Sequence, residues 1–222
     1  AEHAYYLWEE QDRFDFVALA DASAAVRSAL GERYGIGHLS GDIDGLLEQK
    51  LDALVIAAPD PYHADFAVRA LDAGLHVLCE KPLALTVADC DRIKSARDRS
   101  GKVLQVAYMK RHDPAYKRAL EVLPKRIEDI RFISVEVNDP DHEPFVAHLP
   151  MTWPSDLAAS LKADGRDRSL AQLSQSAGGR ISEAGQRARL GDEVAATAAG
   201  VRALRCRIAA GIALGCAERG WI

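Results

Sequence analysis

The sequence holds little that would mark a secreted, membrane-bound or nucleic-acid-binding chain. Its four cysteines, Cys79, Cys90, Cys206 and Cys216, show no C-x-x-C spacing, which argues against a zinc knuckle and against a disulfide framework. The opening residues AEHAYYLWEE lack a basic region followed by an apolar core, so no secretory leader is read there. The longest uncharged apolar run, Ile208 to Ala217, is too short to span a bilayer. A formal net charge of −5 leaves no electrostatic footprint for nucleic acid or an anionic membrane. A reducing, cytoplasmic setting follows as the expectation, with neither nucleic acid nor membrane as partner.

What is present is an ordinary globular composition, 48% hydrophobic and 27% charged over 222 residues. That is enough for one large domain or two small ones with real cores. The charge is unevenly spread. Residues 1–150 carry 18 Lys+Arg against 26 Asp+Glu, whereas residues 151–222 carry 10 against 7, with one lysine and nine arginines. A composition boundary therefore falls near Pro150, ahead of an Ala-, Arg- and Gly-rich tail.

Periodicity and punctuation predict an alternation of strands and helices. Residues 1–13 read as the last turns of a helix, packing through Tyr5, Tyr6 and Trp8. An apolar strand from Phe14 to Ala20 ends at Asp21, and a helix from Ala22 to Tyr34 stops at Gly35. The glycines at 35, 37 and 41 follow a helix and read as a turn. Asp42 caps a short helix through Glu48. A strand at Ala53 to Ala57 meets the turn Pro59-Asp60-Pro61, then a helix from Tyr62 to Gly74 and a strand at His76 to Cys79. Thr86 caps a helix to Ser100, and Val103 to Ala107 is the next strand. The pattern predicts an α/β, doubly wound parallel sheet. Beyond it a helix is expected from Asp113 to Leu123, an alternating strand from Ile130 to Val137, a Pro-rich loop from Asp139 to Pro154, and then helices only: Asp156–Asp164, Asp167–Ser176, and one or two more to Glu218.

The stretch from Ala53 to Pro82 organises the rest. It is a strand–helix–strand unit that delivers Glu80, Lys81 and Pro82 to the carboxyl end of a strand, where open parallel sheets bind ligands. Ala57-Ala58-Pro59-Asp60 with His63, then Ala70-Leu71-x-Ala73-Gly74-x-His76-Val77-Leu78-Cys79-Glu80-Lys81-Pro82, resembles the Gfo/Idh/MocA oxidoreductases, which are NAD(P)-dependent sugar and inositol dehydrogenases and their relatives. The resemblance runs from about Phe14 to Pro144.

It implies a Rossmann-type domain over 1–112 and the start of a second domain over 113–150, while the composition boundary leaves 151–222 as an Ala/Arg-rich helical tail. It also implies hydride transfer between NAD, in preference to NADP, and a sugar, polyol or inositol-like hydroxyl, with homo-oligomers common among relatives. By resemblance Lys81 lies beside the reacting carbon and handles the hydroxyl proton, Glu80 binds the nicotinamide ribose, and Pro82 follows a cis peptide. Pro59, Asp60 and His63 would lie along the cofactor, although His63 also reads as a helix-start residue packing on the strand. Asp21, at a strand end, fits an acceptor for the adenosine ribose hydroxyls that repels a 2′-phosphate; it fits a helix cap as well. Lys110 and Arg111 fall where relatives place a basic substrate contact, and they equally suit a solvated hinge.

Two expected features are missing. A Gly-rich phosphate loop should precede Asp21 by roughly 20 residues or more, and the sequence shows none, so the sheet is expected to lack its first strand. The family's second domain should supply a glycine pair followed by Asp and His, yet Gly178-Gly179 is followed by Arg-Ile-Ser-Glu-Ala-Gly and no histidine comes after His148. Asp139, Asp141, His142, Glu143 and His148 crowd one loop without regular ligand spacing, so no metal is expected. The competing readings are a non-catalytic fragment or accessory protein retaining the fold, and a carbohydrate-binding module reusing it.

Overall fold

The computed structural model describes residues 2–176 apart from 125, 133, 135–146 and 150. Within them the order is α1 Glu2–Glu9, β1 Ala18–Ala20, α2 Ala24–Tyr34, β2 His38–Ser40, α3 Ile43–Leu47, β3 Ala53–Ile56, α4 His63–Asp72, β4 His76–Cys79, α5 Val87–Ser100, β5 Leu104–Val106, α6 Pro114–Val122 and α7 Ala159–Ser176. Short 3-10 turns fall at Asp60–Tyr62, Met109–His112 and Ile127–Asp129. No helix among the described residues is long and apolar enough to cross a membrane.

Every strand pairing is parallel, in two groups, β1 with β2 and β3-β4-β5. Val77 of β4 stands opposite Leu54 on one side and Leu104 on the other. Strands this short and flanked by helices are the doubly wound, Rossmann-like arrangement that the alternating pattern predicts. One core serves both groups. Leu54, Ile56, Val77 and Cys79 meet Ala67, Ala70 and Leu71 of α4 and Ile93 and Ala96 of α5, while Ala18 and Ala20 of β1 pack on the same cluster. Alanines at the α4–α5 contact let the two helices approach closely. A smaller cluster of Ala4, Val26, Leu30, Tyr34 and Ile36 fastens α1 to α2.

Helix ends follow local chemistry. The side chains of Asp42, Thr86 and Asp113 accept hydrogen bonds from the backbone amides of Gly45, Asp89 and Ala115, which satisfies donors that a helix start leaves open. Gly74 turns the chain from α4 into β4 with φ 81°, a region that costs an L-residue about 1–2 kcal/mol. Gly74→Ala is therefore expected to lower the urea midpoint of unfolding by a corresponding amount. An unchanged midpoint would contradict the turn's role.

Several expectations need correction. The strand expected over 14–20 is only Ala18–Ala20, and that expected over 103–107 is Leu104–Val106; the apolar residues outside these spans, such as Phe14, Val17 and Val103, are exposed. The segment read as a turn contains β2, three residues that become a strand because β1 lies alongside. The cap of α2 is Ser23, whose hydroxyl accepts from the Val26 amide. Helices expected at 156–164 and 167–176 are one helix, α7, that runs through Gly165. Residues 130–132 and 134 lie in no strand, having no neighbouring strand among the described residues. The remainder of the strand expected over 130–137, the glycine pair at 178–179 and the helices expected toward Glu218 fall outside the described residues.

Candidate active site

Because β3, β4 and β5 run in parallel, the residues after these three strands come to one edge; β1, paired in parallel with β2, packs on the same core. Asp21 follows β1; Pro59, Asp60 and His63 follow β3; Glu80, Lys81 and Pro82 follow β4; Lys110 and Arg111 follow β5 in an exposed 3-10 turn. Backbone pairing continues past the strand ends and fixes this edge: the Glu80 amide donates to Ile56 O at 2.8 Å, and the Ala107 amide to Cys79 O at 2.8 Å.

Glu80 is held on both carboxylate oxygens. His3 Nε2 donates to Oε1 at 2.8 Å, and the Lys81 amide donates to Oε2 at 3.0 Å. Burial pushes the Glu80 carboxyl up, but the hydrogen bonds from His3 and Lys81, with their positive charges, outweigh it and hold the group below the ordinary carboxylate range. One lone pair on each oxygen stays open for a further donor. Lys81 is exposed and its ammonium has no hydrogen bond or ion pair among the described residues. The Lys81–Pro82 peptide is cis.

His63 is 1% exposed. Its Nδ1 lies 2.7 Å from Pro82 O and its Nε2 2.7 Å from Ala58 O. Both ring nitrogens thus face backbone carbonyls, and a neutral ring donates to one of them. The ring ties the turn after β3 to the loop that carries Lys81, as the reading of His63 as a helix-start packing residue expects. Pro59 and Asp60 open that turn, Pro59 exposed and Asp60 half-buried.

Asp21 Oδ1 accepts from the Ser23 amide at 2.8 Å, which leaves Oδ2 without a partner among the described residues. Arg27 Nη1 donates to the carbonyl oxygens of Asp21 and Ala22. Cys79, immediately before Glu80, is fully buried. Burial, with the Glu80 and Asp60 charges adding, pushes its thiol up to about 12.

Sequence reasoning missed His3, Ser23 and Asp156. The Asp156 carboxylate takes the Ser23 hydroxyl and, at 3.1 Å, the Ala25 amide. Those hydrogen bonds, backbone ones included, hold it below the ordinary carboxylate range. Ser23 had a local signal, as a hydroxyl just ahead of a helix. His3 and Asp156 had none, since their partners lie 77 and more than 130 residues away. No group of three or more His, Cys, Asp or Glu side chains among the described residues could hold a metal ion. Of the polar loop considered for one, only His148 is described.

The profile of the Gfo/Idh/MocA oxidoreductases, a family with an NAD-binding Rossmann fold, matches residues 1–108. Inositol 2-dehydrogenase of Salmonella paratyphi B is 33% identical over 126 residues, which are 55% of this chain and 38% of that protein. A D-xylose 1-dehydrogenase (NADP+) of Haloferax volcanii is 35% identical over 111 residues, 50% of this chain and 34% of that protein. Among solved structures, the WlbA dehydrogenase of Bordetella pertussis in complex with NADH and UDP-GlcNAcA superposes with a TM-score of 0.51 at 28% identity, over 54% of this chain and 38% of that one. The chain thus spans under two fifths of the length of these relatives. From the match over its strand–helix units and the shared fold, residues 1–108 belong to the Gfo/Idh/MocA oxidoreductase family.

Proposed function

We propose that the edge formed by Asp21, residues 59–63 and Glu80-Lys81-Pro82 is the dinucleotide and reaction site of an NAD-dependent dehydrogenase acting on a sugar, polyol or inositol-like hydroxyl. The observation that carries this is the ordered carboxylate and exposed lysine that follow β4 beside the turn after β3, with an acidic residue following β1. The residues fit the group. Asp21 Oδ2 is open to accept from adenosine ribose hydroxyls, and its charge disfavours a 2′-phosphate, which supports NAD over NADP. Glu80, fixed by His3 and the Lys81 amide, has lone pairs left for the nicotinamide ribose hydroxyls. Pro59 and Asp60 form the wall between them.

When bound, a nicotinamide dinucleotide supplies the hydride acceptor. Oxidation of a carbinol removes a hydride from carbon and a proton from oxygen. Lys81 Nζ, in its neutral form, accepts the hydroxyl hydrogen bond, takes the proton as the C–O bond becomes a carbonyl, and passes it to water. In the reverse direction the ammonium returns it. A cationic ring beside the amine favours the neutral form that this requires. Lys110 and Arg111 would hold substrate hydroxyl or anionic groups. The domain limits at residues 112 and 150 belong to the same proposal.

The test is a titration with NADH, read as energy transfer from tryptophan. Saturable binding that Asp21→Ala weakens about tenfold, with a smaller gap between NADH and NADPH, is the expected result. No binding up to millimolar cofactor would overturn the reading. Binding without turnover on inositols and aldoses would favour the non-catalytic one.

A further inference from the structure

Residues 149 and 151–176 touch the stretches that follow three different strands: the start of α2 after β1, the turn after β3 and the loop after β4. After β1, Asp156 occupies the Ser23 hydroxyl and the Ala25 amide, two and four residues beyond Asp21. After β3, Tyr62 Oη donates to Asp164 Oδ2 at 2.7 Å, and the Arg168 guanidinium lies 5.1 Å from the Tyr62 ring centre. There too Gln172 Nε2 donates to Pro61 O at 3.2 Å. After β4, Ser176 Oγ donates to Leu85 O at 2.5 Å. Arg33 Nη1 also donates to Thr152 Oγ1 at 3.3 Å, and Leu149 is buried at the start of the segment. Helix α7, 18 residues and therefore about 27 Å long, shows no buried residue of its own. Its hydrogen bonds to the rest of the chain are few and exposed or half-buried, the kind that open without unfolding a core.

From this we infer that residues 149–176 form an autoinhibitory strap, which in the closed position excludes a dinucleotide from the edge between Asp21 and Lys81. The inference rests on the proposed cofactor site. Its chemistry is competition: the Asp156 carboxylate takes donors beside the ribose-binding acid, and α7 covers the Asp60–Tyr62 turn that a dinucleotide would lie along. Apparent affinity then equals intrinsic affinity reduced by the fraction of open strap.

The experiment uses the full chain and the double variant Asp156→Ala/Asp164→Ala, both with NADH as probe. Both substituted carboxylates are solvent-facing, and circular dichroism checks that the fold is retained. The variant is expected to bind NADH about tenfold more tightly, as a strap closed nine-tenths of the time requires. In the unsubstituted chain NADH is expected to speed hydrogen exchange over 159–176 while slowing it over 59–63. Equal affinities, with NADH protecting 159–176, would show that α7 belongs to the site and overturn the inference with the cofactor reading intact. If neither chain binds NADH although exchange over 159–176 rises in the variant alone, the strap is a real contact that excludes nothing, and both readings fall.

Discussion

Replacing Lys81 with methionine is expected to slow NAD reduction by an inositol or aldose roughly a thousandfold, while the dissociation constant for NADH changes little. Methionine keeps the length and apolar stem and removes only the group that takes the proton. Without it the hydroxyl must lose its proton to water as the hydride departs, and the transition state loses a base held at the reacting oxygen. Stopped-flow measurement of the hydride step separates this from binding. Retention of a tenth or more of the rate would move the base elsewhere, with Lys110 the next residue to examine. The prediction depends on the ammonium being unpaired. A lysine already committed to a carboxylate would be poorly placed to change protonation state during turnover; Glu80, next in the chain, has both carboxylate oxygens engaged, by His3 and by the Lys81 amide.

The second large effect is expected at His63. Its ring is 1% exposed and faces two carbonyl oxygens at 2.7 Å each. His63→Ala removes a buried ring and the N–H it donates to one of these carbonyls, which together cost about 2–4 kcal/mol. In a chain of this size that lowers Tm by roughly 10 °C. His63→Gln, able to donate through one amide group, should recover part of the loss. The same substitutions should reduce turnover more than they weaken cofactor binding, because Pro82 O is one of the two anchors and the loop it belongs to carries Lys81. A His63→Ala chain that melts like the parent would sink this account of the ring as a brace.

Much of the Rossmann-like half was legible because its signals are local. Gly35, Gly74 and Gly101 each end a helix with positive φ, and Asp42 and Thr86 cap the helices that follow them; all five read directly from sequence. The strand–turn–helix grammar around Glu80-Lys81-Pro82 likewise needs only neighbours in the chain. What was illegible depends on distant partners. His38–Ser40 has no strand signature and becomes one only beside β1. Asp164-Gly165-Arg166-Asp167 looks like a break, yet α7 runs through it because Arg168 pairs with Asp164 one turn away and Tyr62 packs over Gly165. The docking of 149–176 joins residues more than 90 apart, beyond any periodicity.

The burial of Cys79 has a chemical consequence for the proposed reaction. A dehydrogenase that oxidises alcohols makes aldehydes or ketones, and such electrophiles add to any thiolate within reach. With its thiol pushed up to about 12, Cys79 is ionised in roughly one molecule in 10⁵ at neutral pH. Its sulfur also points into the apolar cluster beneath the strand end. The residue directly before the Glu-Lys pair is therefore a nucleophile kept silent toward the carbonyl product of the proposed reaction.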